Sequence, residues 1–62
     1  MMKMVFIYWE RNNDGTANYD RSHNFEIDIT GKSAAEIMHE YWGISEAHDI
    51  HKYTPIEFCG VI

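Results

Sequence analysis

Three of the four histidines, His39, His48 and His51, lie within a thirteen-residue stretch, with Asp49 between the last two. Imidazole and carboxylate are the ligand types of zinc and related ions, and His48-x-x-His51 would set two imidazoles on one side of a helical turn. A zinc site also needs a third ligand held in place, and the chain has neither an HExxH nor a CxxC element to supply one. Surface or interface histidines are the stronger reading. Gathered at a dimer face, they would make association sensitive to protonation between about pH 5 and 7. A small histidine-based metal-binding protein or enzyme stands as the alternative function.

Cys59 is the only cysteine. It could pair with a histidine as nucleophile and base, but a cysteine inside an apolar strand is usually a small buried side chain, and the core is where Cys59 is expected. Glu26 and Asp28 share one side of a strand and could act on a cation or substrate only in a concave site, for which so short a chain offers little depth. Gly15, Gly31, Gly43 and Gly60 are isolated and form no phosphate-binding loop. The sequence therefore predicts no catalytic residue, no cofactor and no enzymatic activity.

The apolar pattern defines the scaffold on which these groups would sit. MVFIYWE, residues 4–10, is apolar on both sides, with Met4, Phe6 and Tyr8 along one and Val5, Ile7 and Trp9 along the other. The first strand is predicted over Lys3 to Arg11, ended by Asn12-Asn13-Asp14-Gly15, whose Asp-Gly pair favours a turn. Thr16 to His23 is polar and weakly patterned, so it could extend the hairpin through Tyr19 or form a loop, and the loop is the preferred reading. From Asn24, Phe25, Ile27 and Ile29 alternate with Glu26, Asp28 and Thr30, the profile of an edge strand with one wet side.

Ser33-Ala34-Ala35-Glu36 is a capping box that starts a helix. Ala34, Ile37, Met38 and Tyr41 form its buried stripe, and Gly43 is placed to end it after nine or ten residues. Ile44 to Tyr53 adds at most one short turn, capped by Ser45. After Thr54-Pro55, Ile56, Phe58, Gly60 and Ile62 alternate with Glu57, Cys59 and Val61 in a last strand. The fold class is α+β, in the order β-β-α-β: a three-stranded antiparallel sheet ordered 2-1-3 with one helix on one face.

Residues 1–62 are read as one domain, and a domain of this length buries only about 60% of its unfolded surface. One short helix covers one side of the sheet, so the other side of the first strand needs a companion: a second copy, or the Ile44 to Tyr53 segment folded across it. The homodimer is preferred. Its interface, or that with another partner, is placed at Val5, Ile7, Trp9, Tyr19, Trp42 and Tyr53, because Trp and Tyr dominate interface hot spots.

Ten acidic residues against five basic ones give a net charge of −5, which disfavours direct contact with nucleic acid. Glu10, Asp14, Asp20, Glu26, Asp28 and Glu57 instead offer an acidic contact surface for a basic groove on a larger protein. The apolar run near the N-terminus is too short for a signal segment or a membrane span, so a cytoplasmic location without membrane contact is expected. In size, charge, lack of a catalytic motif and the aromatic strand MVFIYWE, the chain resembles the small acidic inhibitors that bacteriophages encode against host defences, such as anti-CRISPR, anti-restriction, anti-Hachiman, anti-Gabija and anti-Thoeris proteins. The resemblance implies an inhibitory role; joined to the preferred homodimer and the acidic surface, the function expected is a non-enzymatic protein-binding inhibitor of a larger intracellular protein, such as one that handles nucleic acid or serves host defence. A structural or regulatory subunit of a complex is the further alternative.

Overall fold

The computed structural model describes residues 2–62. Strand β1 (Lys3–Arg11), strand β2 (Ala17–Asp28), helix α1 (Ala34–Ala47) and strand β3 (Ile56–Val61) succeed one another along the chain. The strands make one antiparallel sheet ordered β2-β1-β3, so the doubly apolar strand is central and the architecture is α+β, as its pattern predicts. β1 ends where Asn12 and Gly15 close the turn: the Asn12 amide donates to the Thr16 carbonyl at 2.8 Å, and Gly15 takes a φ of +88° that favours glycine.

β2 starts much earlier than the polar stretch suggests, and Ala17 to His23 is strand instead of loop. The cause is a register shift. Trp9 pairs with Ser22 and Glu10 with Asn18, so Tyr19, Asp20 and Arg21 bulge from the ladder and erase the alternation.

α1 begins on the capping box, with the Ser33 hydroxyl accepting from the Glu36 amide at 3.2 Å and the Glu36 carboxylate accepting from the Ser33 amide at 3.3 Å. It does not stop at Gly43. The helix runs on to Ala47, because Ile44 packs on the core and Ser45, buried and bonded to the Trp42 carbonyl, is an interior residue and no cap. Burying that last turn offsets the roughly 1 kcal/mol that a helical glycine costs. Asp49 terminates the helix with a φ of +56°, while its amide reaches the Glu46 carbonyl and that of Ile50 the Ser45 carbonyl. These are the two bonds of a Schellman motif, with Ile50 supplying the apolar contact that accompanies it.

In β3 the pairing steps from Phe6–Phe58 to Val5–Gly60, leaving Cys59 as the extra residue of a bulge. Cys59 is consequently exposed, and the expectation of a core thiol fails. The bulge also exchanges the sides of the residues beyond it: Val61, opposite Met4, joins Phe58 on the helix side, in place of Gly60 and Ile62.

Among the described residues, Tyr8, Phe25 and Ile27 are the buried apolar ones, with Phe6, Ile37, Tyr41 and Ile44 packed around them. Phe6 stacks on Phe25 at 5.0 Å and meets Tyr41 and Phe58 at 5.6 and 5.5 Å. The molecule is a thin plate of 41 × 20 × 13 Å. Its radius of gyration, 12.6 Å, exceeds the roughly 11 Å of a compact chain this long. Its 4570 Å² of accessible surface exceeds the roughly 4,200 Å² usual for the mass.

Candidate functional site

Two parts of the molecule combine chemistry with shape. The first is a cleft of about 410 Å³ whose lining includes Tyr8, Glu10, His23, His48, Asp49 and His51. Alternation along β1 puts Tyr8 and Glu10 on the helix side, and pairing sets His23 opposite Tyr8, where the rings stack at 5.1 Å. The Tyr8 hydroxyl and His48 Nδ1 share a hydrogen bond of 2.7 Å, and the Glu10 carboxylate accepts one from His23 Nε2 at 2.7 Å with Arg21 3.7 Å away. The His23 bond chiefly holds Glu10 below the usual carboxyl range, whereas burial, aided by the Glu10 charge, pushes the Tyr8 hydroxyl up and keeps it neutral.

These pairs satisfy one another. His48 is bonded to Tyr8 and His23 to Glu10, while His51 Nδ1 accepts from the Tyr53 amide. His48 and His51 do not share a helical turn, since α1 ends at Ala47, before both. His39 lies elsewhere on α1, beside Lys32, Glu36 and Glu40. Among the described residues, no three His, Cys, Asp or Glu side chains converge as a metal-ligand set. The sequence pattern misses the two hydrogen-bonded pairs, because it assigns His23 to a loop; the parity of Tyr8 and Glu10 in β1 is the signal it does contain.

The second part is the sheet face turned away from α1. Val5, Ile7 and Trp9 run along it, half-buried by their neighbours, and Tyr19 meets Trp9 edge-on at 5.4 Å. The Ile44 to Tyr53 segment does not cross this face: Ile50 and Thr54 line a groove beside Tyr41, Trp42 and Ile56 on the helix side. Register surrounds the apolar stripe with acid. Asp28 and Glu26 lie opposite Lys3 and Val5, and Glu57 opposite Ile7. Against these three carboxylates stands Lys3, 3.2 Å from Glu26. Asp28 also accepts the Thr30 amide at 3.0 Å, which holds its carboxyl below the usual range.

The remaining anticipated residues are dispersed. Trp42 lies on α1, on the other side of the sheet from Val5, Ile7 and Trp9. Tyr53 precedes β3; its carbonyl accepts from the Arg11 guanidinium, and the Lys52 ammonium sits 4.9 Å from its ring centre. Glu10 belongs to the cleft, Asp14 to the turn, where it accepts the Thr16 amide and hydroxyl, and Asp20 to the β2 bulge. No family model, curated protein or solved structure matches the chain. Among the described residues, no helix is long and apolar enough to cross a membrane.

Proposed function

We propose that this chain is a non-enzymatic protein-binding module, homodimeric, that inhibits a larger intracellular protein by occupying a basic surface. One observation carries the reading: the Val5–Ile7–Trp9 stripe, half-buried by its sheet neighbours and on the face turned away from α1, is rimmed by Glu26, Asp28 and Glu57. An apolar centre with a charged rim is the anatomy of a protein interface, and the sign of the rim selects a positive counterpart. The net charge of −5 argues against direct nucleic-acid binding and favours a target whose own basic groove handles nucleic acid. The resemblance in size and charge to phage anti-defence inhibitors supports the inhibitory role.

The test is affinity capture from host extract with wild type and with a Glu26→Lys, Asp28→Lys, Glu57→Lys variant of unchanged circular dichroism. A partner held by wild type, released by salt and lost in the variant supports the reading; competition between that partner's nucleic-acid ligand and this chain establishes inhibition. Equal capture by both proteins refutes it.

A further inference from the structure

The flank of α1 that faces β3 carries Ala34, Met38, Trp42 and Ser45, and the helix-side residues of β3 are Ile56, Phe58 and Val61. Met38, Trp42, Phe58 and Val61 remain 51, 61, 50 and 47% exposed. Lys52, at one end of the groove that Trp42 and Ile56 line, is its charged member among the described residues. The exposed apolar area along this trough is on the order of 400 Å².

The backbone beside it is also open. The Lys3 and Ile62 amides and carbonyls bond reciprocally, at 2.8 and 2.9 Å, and the Trp9 amide reaches the Pro55 carbonyl at 3.0 Å. In an antiparallel ladder the bonded pairs alternate with non-bonded ones, so Ile56, Phe58 and Val61 turn their amides and carbonyls to the free edge. An apolar trough thus runs along a strand edge whose hydrogen-bonding groups have no partner within the sheet.

We infer that this edge is the site of the second copy: β3 pairs antiparallel with β3 of another chain about a two-fold axis, joining two sheets into one of six strands. The inference rests on the homodimeric part of the proposed function and locates it away from the target face. An antiparallel strand pair is self-complementary under a two-fold axis, which an isologous interface requires. The other uncovered face is a poor self-partner, because a copy would bring two acidic rims together, whereas the β3 trough is almost free of charge. With both helices on the same side of the joined sheet, Met38 and Trp42 of each chain close over Phe58 and Val61. The apolar area and the added strand contacts together approach the roughly 800 Å² per partner of a standard interface.

Mass by light scattering across a dilution series, with Phe58→Glu, Trp42→Glu and Ile7→Glu beside wild type, tests the assignment. The expected result is a wild type of twice the chain mass, a dimer dissociation constant raised at least thirtyfold, about the loss of one hot spot, by Phe58→Glu or Trp42→Glu, and no change for Ile7→Glu. Trp42→Glu alters a helix surface position and decides the matter if Phe58→Glu does not fold. A short bifunctional thiol reagent should join two chains through Cys59, which lies in β3 near the expected axis, and should fail with Cys59→Ser. A monomeric wild type overturns the homodimer itself. A dimer broken by Ile7→Glu but indifferent to Trp42→Glu and uncrosslinked through Cys59 overturns this placement and leaves the homodimer standing on the target face.

Discussion

The two edges of the sheet are protected in different ways. At the β2 edge, Ser22, Asn24, Glu26 and Asp28 face their backbone groups outward, since the Ile29 amide already reaches the Met2 carbonyl and the pairs beyond alternate from there. Half of those residues are carboxylates, and Tyr19, Asp20 and Arg21 bulge from the far end. Charge and a bulge both guard an exposed edge, and the bulge is common to the two. The β3 edge has Pro55, a bulge at Cys59 and then apolar side chains. What separates the two edges is side-chain chemistry: β2 presents carboxylates where β3 presents the exposed Phe58 and Val61, a distinction that net charge and composition do not reveal.

The largest expected effect separates the two faces of β1. Phe6→Asp sets a charge among Phe25, Tyr41 and Phe58 and should abolish cooperative unfolding, at a cost of about 4 kcal/mol or more. Ile7→Asp, on the uncovered face, should cost only about 1–2 kcal/mol in urea titrations of the monomer, near the scale of strand preference. Equal losses would mean that both faces are covered in the monomer, and the contrast of surfaces would collapse.

Two glycines, one in the β3 bulge and one in α1, carry effects of opposite sign. Gly60 has a φ of +133° in the bulge, so Gly60→Ala should destabilise by about 1–2 kcal/mol. Gly43 sits in the helix with open space where a Cβ would project, and Gly43→Ala should stabilise by about 0.5–1 kcal/mol. Thermal melts of the two variants check both. Loss of the bulge without cost would remove it as a built feature of the β3 edge.

The smallest effect concerns the guarded edge, where Glu10 anchors His23 and Arg21 beside the β2 bulge. Its carboxyl is held low in the folded state, so it favours folding above its unfolded value, and that contribution fades as pH falls through the folded value. The melting temperature of wild type should therefore drop below about pH 5 more steeply than that of Glu10→Gln. Parallel curves would show that the bulge does not depend on this pair.

The features legible in the letters are those that rest on local pattern. Lys3–Arg11, the 2-1-3 order and the Ser33–Glu36 box come from alternation, from the most apolar strand taking the centre, and from cap chemistry. The departures share a cause: an irregularity that shifts parity or overrides a local signal. Three bulged residues disguise the first half of β2, one bulged residue moves Cys59 outward and Val61 inward, and tertiary burial of Ile44 carries the helix past Gly43. The Tyr8–His48 and Glu10–His23 pairs join residues 40 and 13 positions apart, so they become visible only once the pairing is known. The acidic rim of Glu26, Asp28 and Glu57 is partly legible, because Glu26 and Asp28 alternate with apolar neighbours; that Glu57 completes it depends on the register of β3.

The unequal lengths of the outer strands leave the β1–β2 hairpin projecting beyond the last rung of β3, where Tyr8 faces Ile56. From Glu10 to Ser22 the ribbon is two strands wide, and a ribbon of that width is barely stable by itself. The protein therefore has a three-stranded palm and a two-stranded finger, and the central strand, flanked on both sides in the palm, becomes an edge in the finger.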